Sequence, residues 1–148
     1  TAEGTVIASG YAKGVDKQAF DSSIESEGQT IVVLPQGILT FGSEIKKMKN
    51  SGVFKNVLVL SVFPPKARWT AGLAMARNKY VYALASEIYV AQSSTTGGTW
   101  EGVNEGLGMG RKIYIYASRN SPDAVVKLLV DKGAVPVDVN GYELQEKN

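Results

Sequence analysis

The chain has 148 residues, 44% of them apolar, enough for one well-buried core at about the commonest single-domain size. It contains no Cys and no His, which excludes thiolate nucleophiles, Ser-His relays, disulfides and the usual zinc sites. The net charge of +2 comes from 16 basic and 14 acidic residues, but between Ile45 and Ser86 there is no acidic residue and there are eight basic ones: Lys46, Lys47, Lys49, Lys55, Lys66, Arg68, Arg77 and Lys79.

In chain order, short apolar runs bounded by turn residues occur at Thr5 to Ala8, Thr30 to Leu34, Val57 to Leu60, Ile88 to Ala91, Ile113 to Tyr116 and Val135 to Val137, and are predicted as strands. Helical character falls between them, at Asp16 to Glu27, Gly42 to Asn50, within Thr70 to Ala85, at Thr99 to Met109 and at Pro122 to Lys132. Strands alternating with helices predict an α/β fold, Rossmann-like and doubly wound, with a mostly parallel sheet carrying helices on both faces. Local signals agree. Asp16 can cap the first helix, Ala19, Phe20 and Ile24 share its inward face, and Gly28 supplies a left-handed stop. Ser121 and Pro122 open the last helix and Gly133 ends it. A single domain over 1–148 is expected, with the polar residues from Asp138 onward free to fray. No run reaches the roughly eighteen apolar residues of a membrane span and the N-terminus lacks a signal-peptide layout, so a cytoplasmic protein away from membranes is expected.

Ligands of doubly wound sheets sit at the carboxyl ends of the strands, which singles out three loops. The first, Ser9-Gly10-Tyr11-Ala12-Lys13-Gly14-Val15-Asp16, runs from a strand into a helix and combines two glycines, a helix start and one cation. That is an anion cradle, or else an ordinary tight turn. The loop Phe63 to Trp69, continued by Met75 to Tyr80, alternates Lys66, Arg68, Arg77 and Lys79 with Trp69, Asn78 and Tyr80. Such alternation suits a single strand of nucleic acid, whose phosphates meet cations while its bases stack on rings. Trp69 and Tyr80 are also candidate core residues, the more frequent fate of a lone aromatic, and helical spacing with Val81 and Leu84 favours it for Tyr80; lysines on a solvated face explain Lys46 to Lys55 equally well. The loop Gln92 to Glu101 offers Ser93, Ser94, Thr95 and Thr96 beside Gly97 and Gly98 at another helix start. It lacks both the Gly-Lys-Ser/Thr ending of a Walker loop and the three spaced glycines of a dinucleotide site. Glu101 could serve as a catalytic carboxylate, but an acid in the first turn of a helix is also what the helix dipole favours.

In order and spacing these segments resemble the Rossmann-like domain of the DNA-processing protein A family, also called Smf. Ser9, Gly10, Ala12, Lys13, Gly14 and Asp16 are similar to its Ser-Gly-x-Ala-Arg-Gly-x-Asp signature, with Lys13 in place of Arg. Thr30 to Gly37 resembles the strand and glycine turn that follow, and Arg77-Asn78-Lys79 the Arg-Asn-Arg segment. Gly97-Gly98-Thr99 through Gly110-Arg111-Lys112 to Tyr116 resembles its Ser-Gly-Thr helix and next strand. The resemblance implies a module that binds single-stranded DNA in a basic pocket, loads the RecA recombinase during natural transformation and forms a homodimer. On that reading Ser9, Gly10, Lys13 and Gly14 form a backbone cradle, and Arg68, Arg77 and Lys79 are phosphate partners; the competing view makes Arg77 a structural residue tying its helix to the sheet. Asn78 positions by hydrogen bonding, and Thr96, Gly97, Gly98 and Thr99 add a second phosphate-binding turn. No catalytic residue, cofactor or metal is assigned. The chain departs from the family in having nothing that corresponds to the strand and helix, with their glycine-arginine turn, that usually precede the Ser-Gly signature.

A different class of function, small-nucleotide binding or nucleotide phosphoribohydrolase activity, belongs to the same superfamily and is marked by Pro-Gly-Gly-x-Gly-Thr-x-x-Glu. Here Gly97-Gly98-Thr99-Trp100-Glu101 lacks the second half of that spacing.

Overall fold

The computed structural model describes residues 4–118 and 123–144. Its elements run β1 (Ile7–Ser9), α1 (Val15–Glu25), β2 (Thr30–Val33), a 3-10 turn (Ile38–Phe41), α2 (Gly42–Asn50), a second 3-10 turn (Val53–Asn56), β3 (Val57–Leu60), α3 (Ala71–Leu84), β4 (Glu87–Val90), α4 (Gly98–Gly108), β5 (Lys112–Tyr116), α5 (Ala124–Asp131) and β6 (Val135–Val137). This is an α/β fold of parallel sheets flanked by helices. Two compact units are present, Thr1–Val81 and Tyr82–Asn148. Each holds a three-stranded sheet, β1-β2-β3 in the first and β4-β5-β6 in the second.

In the first unit Ile7, Thr30 and Val57 lie side by side, as do Ser9 and Val32. The period of two then puts Val32, Val57 and Val59 on one face, where they pack with Phe20 of α1 and Met48 of α2. Leu34, just past β2, joins the same cluster and is fully buried. The opposite face leaves Leu58 exposed. Two sequence expectations about α1 need correction. Gly14, not Asp16, occupies the position before the helix, and it does so at φ 96, where no side-chain cap is made. Asp16 sits in the first turn with its carboxylate directed back at the loop. At the far end the left-handed residue is Glu27, at φ 54, so the turn closes one residue early and the Gly28 N–H donates to the Ser23 carbonyl at 2.8 Å.

The connection from β3 to α3 is held by the turn after β2. The Gly37 N–H donates to the Ala67 carbonyl at 2.8 Å, the Leu39 N–H to the Pro65 carbonyl at 2.9 Å, and the Ser61 hydroxyl to the Gln36 carbonyl at 2.7 Å. Gly37 must be glycine for a steric reason: a Cβ there would overlap the backbone of Pro64 and Pro65. Thr70 then opens α3, its hydroxyl accepting from the Leu73 N–H at 3.1 Å. Within α3 Arg77 is buried, while Met75, Tyr80 and Leu84 are exposed. The core placement that helical spacing suggested for Tyr80 is thus not what the described structure has.

In the second unit Ile88, Val90, Ile113 and Ile115 share one face, and α4 (through Val103) and α5 (through Leu129) pack on it. Tyr89 and Tyr116 point the other way and stay exposed. Asp123 caps α5, accepting from the Val125 N–H; Ser121 and Pro122, expected to open this helix, lie outside the described residues. Of the stretch expected to fray, residues 145–148 lie outside the described residues and residues 138–144 are described. The latter turn back on β6 through Asp138 N–H to the Tyr142 carbonyl and Leu144 N–H to the Pro136 carbonyl, and Lys112 pairs with Glu143 at 3.0 Å.

Gly37→Ala is expected to cost about 1–3 kcal/mol in urea unfolding through overpacking against backbone that cannot step aside. Gly42→Ala, at a helical position with open space, should instead gain up to about 1 kcal/mol; equal effects at the two sites would contradict the steric account. In the second unit Ile113→Ala, at 0% exposure, should cost about 2–5 kcal/mol, and Leu128→Ala, at 45% exposure, far less.

Candidate nucleic-acid interface

The chain's distinctive loops in the first unit follow the carboxyl ends of β1, β2 and β3, where a parallel sheet places its ligands. Most of the first loop is committed to its own structure. The Gly10 N–H donates to Asp16 Oδ2 at 2.8 Å, the Ala12 N–H to the same oxygen at 3.3 Å, and the Tyr11 N–H to the Ser9 hydroxyl at 3.4 Å. A carboxylate from α1 therefore fills the amides that the sequence offered to an anion. Tyr11, at φ 56, turns its ring inward, edge-on to Phe20 at 4.9 Å and to Phe41 at 5.8 Å. Burial raises the pKa of its hydroxyl above the ordinary tyrosine value. Ser9 and Gly10 are buried, whereas Ala12, Lys13 and Gly14 form an exposed tip. Among the described residues the Lys13 and Gly14 amides have no hydrogen-bond acceptor.

Arg77 is the largest departure from expectation. The sequence reading gave it to phosphate; its side chain is instead turned into the protein, at 5% exposure. Nη1 donates to the Gly10 carbonyl at 2.7 Å and to the Val33 carbonyl at 2.7 Å, and Nε donates to Asn78 Oδ1 at 3.1 Å. Asn78, assigned to position ligand, thus holds a neighbouring side chain. The structure brings Ser9, Gly10, Arg77 and Asn78 together, joined by Val33 at the end of β2. It does not add Lys79 to that group: two residues along a helix is a rotation of about 200°, and Lys79 is exposed with Nζ over the Tyr80 ring at 5.2 Å.

The exposed cations are Lys66 and Arg68 on the loop pinned by Gly37, Lys13 on the first loop, and Lys79 on α3. Trp69, 58% exposed, stands next to Arg68. An exposed ring beside exposed cations is what base stacking and phosphate pairing require. Asp16 and Gly37 are the residues whose importance the sequence did not reveal. Asp16 appeared as a helix cap and Gly37 as one member of a turn, and their partners are named only by the fold.

In the second unit Thr96 and Thr99 are exposed, and Gly97 precedes α4 without any side-chain cap. The other hydroxyls are partly used: Ser94 donates to the Thr96 carbonyl at 2.6 Å and Ser93 to the Ser94 carbonyl at 3.0 Å. Glu101 is exposed in the first turn of α4. Past the ends of β4 and β5 lies a cleft of about 560 Å³ lined by Gln92, Ser93, Tyr116, Ser118 and Asp123 over Ile115, Val125 and Val126. Among the described residues there is no cluster of three carboxylates that could hold a metal, and no helix is long and apolar enough to cross a membrane.

A model of the family described as DNA recombination-mediator protein A matches residues 1–142. The chain is 28% identical over 109 residues to the DNA processing protein DprA of Streptococcus pneumoniae, covering 74% of this chain and 39% of that protein. It is 26% identical over 112 residues to DprA of Bacillus subtilis, covering 76% of this chain and 38% of that one. It therefore spans under half the length of these curated relatives. Its fold superposes on the X-ray structure of the S. pneumoniae protein with a TM-score of 0.74 at 25% identity, over 92% of this chain and 49% of that one. For the Helicobacter pylori DNA processing protein A, solved to describe its single-stranded DNA binding mode, the TM-score is 0.68 at 24% identity, over 90% and 61% of the two chains. With its loops and strands in this order and nearly all of its length matched, the chain belongs to the DNA recombination-mediator protein A family.

Proposed function

We propose that this chain is a non-enzymatic module that binds single-stranded DNA. The observation that carries the reading is the exposed set Lys66, Arg68 and Trp69 on a loop fixed by the Gly37 turn, inside a stretch without any acidic residue. Lys13 and Gly14, on the tip after β1, supply a cation and amides with no acceptor among the described residues; Lys79 adds a further cation. In this reading Ser9, Gly10, Arg77 and Asn78 shape the site, and the charges that meet phosphate are Lys13, Lys66, Arg68 and Lys79. Thr96, Gly97, Gly98 and Thr99 are read as a second phosphate-binding turn. RecA as partner and a homodimer follow from the family resemblance and are proposed with it, and a cytoplasmic setting is proposed from the sequence reading; co-purification with RecA and light scattering of the purified chain test the first two.

One observation favours a second reading. The cleft past β4 and β5 has the size of a small-ligand site and combines an aromatic wall with Gln92, Ser118 and Asp123, groups that can pair with the edge of a nucleobase. A mononucleotide held there without turnover is the alternative.

Titration of a fluorescent oligo-dT and, in parallel, of nucleoside monophosphates separates the two. Tight oligonucleotide binding without mononucleotide binding is expected, nearly independent of base sequence, with log affinity falling against log salt by about 0.7 per phosphate contact. Arg68→Ala and Lys66→Ala should each remove about 0.7 from that slope with little change in Tm. A slope near zero, or binding of monophosphates alone, would contradict the module. Incubation with AMP or ATP should release neither base nor phosphate. Release at enzymatic rates that Glu101→Gln abolishes would overturn the non-enzymatic assignment.

A further inference from the structure

Arg77 lies among the loops of the proposed site but has its charge buried. Its Nη1 reaches two carbonyls at once, on Gly10 after β1 and on Val33 at the end of β2, each at 2.7 Å. The guanidinium occupies the space that a side chain on residue 10 would need. The three atoms nearest a Cβ built on Gly10 are Cζ, Nη1 and Nη2 of Arg77, all well inside contact distance. On the other side of the same residue the Gly10 N–H is held by Asp16 Oδ2 at 2.8 Å. Residue 10 is thus clamped at both its carbonyl and its amide, and the chain that leaves the clamp carries the exposed tip at Lys13 and Gly14.

We propose that Arg77 is a positioning residue, and that Gly10 is glycine in order to admit it. The guanidinium fixes the loop after β1 to the end of β2, and so sets where Lys13 and the Lys13 and Gly14 amides meet a phosphate. The proposal rests on the single-stranded DNA reading for its functional consequence, but the clamp itself is a property of the free protein. It differs from a phosphate contact by Arg77, because a buried guanidinium already donating to carbonyls neutralises no phosphate. It also differs from a merely structural role, because the effect must reach Lys13.

The test uses Arg77→Ala, Arg77→Lys, Gly10→Ala and the Gly10→Ala/Arg77→Ala double variant, each with and without Lys13→Ala. Binding to fluorescent oligo-dT is measured well below Tm, Tm is recorded, and the backbone amide resonances of Lys13 and Gly14 are followed by NMR in the free protein. Arg77→Ala is expected to weaken binding by about tenfold or more, to lower the salt slope by no more than Lys13→Ala does, and to shift both resonances. Lys13→Ala should cost much less affinity in that background than in the native one. Gly10→Ala should lower Tm and weaken binding when Arg77 is present and do much less when it is absent, since the three atoms nearest that Cβ all belong to Arg77. A salt slope that Arg77→Ala lowers by about 0.7 even when Lys13 is already Ala would overturn the proposal in favour of direct phosphate contact. So would additive effects of Gly10→Ala and Arg77→Ala, or a fall in Tm with unchanged affinity and unchanged Lys13 and Gly14 resonances. If Arg77→Ala does not fold, Arg77→Lys and Gly10→Ala carry the same comparisons, because Lys keeps the charge but has neither the Nε donor to Asn78 nor the planar group that fills the space beside Gly10. Should the native chain not bind oligo-dT, the DNA reading fails while the resonances and the Tm coupling still decide the clamp: shifted and coupled supports it, unmoved and additive sinks it.

Discussion

One buried guanidinium holds the loop after β1 and the end of β2 to α3. Arg77 comes from a helix 67 residues along the chain from Gly10 and 44 from Val33, so its two hydrogen bonds close long loops and tie three elements at one atom. Burying such a group is costly unless its donors are satisfied. Here satisfaction comes from main-chain carbonyls that themselves need donors, because parallel strands end and leave their last acceptors unpaired. Hydrogen bonds to a charged group contribute about 1.5–3 kcal/mol each, and losing the donor would strand two acceptors at about 1–3 kcal/mol apiece. The arrangement is therefore rigid for the same reason that it is fragile.

In the proposed reading, rigidity at the base leaves the work of binding to the tips. Asp16 takes the Gly10 and Ala12 amides, Tyr11 is buried against Phe20 and Phe41, and Gly37 fastens the Pro64–Ala67 backbone. What remains outside these ties is Lys13, Gly14, Lys66, Arg68 and Trp69. Cations on short, fixed loops lose little freedom when they meet a polyanion, so more of each contact appears as affinity. The second unit follows a looser plan, with Thr96 and Thr99 exposed and Ser93 and Ser94 turned onto carbonyls of their own loop.

The alternation of apolar runs and helical stretches made the fold class legible in the sequence. Gly42 to Asn50, Val57 to Leu60 and Val135 to Val137 fall at the observed bounds. Helix ends were legible only where the signal is local, as at Gly133. Asp16 deceived because a carboxylate in the first turn can face either the helix amides or the loop behind it, and only the loop's course decides. Arg77 deceived for a more general reason: arginine is seldom buried, and nothing near it in sequence announces carbonyls that arrive from two other strands. The C-terminal residues read as polar and free, yet their pairing with β6 is main-chain bonding to which side-chain polarity is blind. Charge patterning picked out Lys66, Arg68 and Lys79, which are exposed as cations are by default, whereas Trp69 is exposed although a lone aromatic is more often buried.

Amide hydrogen exchange, resolved to single residues in the free protein and with oligo-dT added, tests the central claim most directly. If the loop after β1 is a preformed surface held at Gly10, the Gly10 and Ala12 amides exchange slowly in the free protein and unchanged when DNA is added. Those of Lys13 and Gly14 then exchange fast and become protected only by the oligonucleotide. Fast exchange at Gly10 in the free protein, slowed on binding to the same degree as at Lys13, would mean that the loop takes its shape from the ligand and would contradict the account.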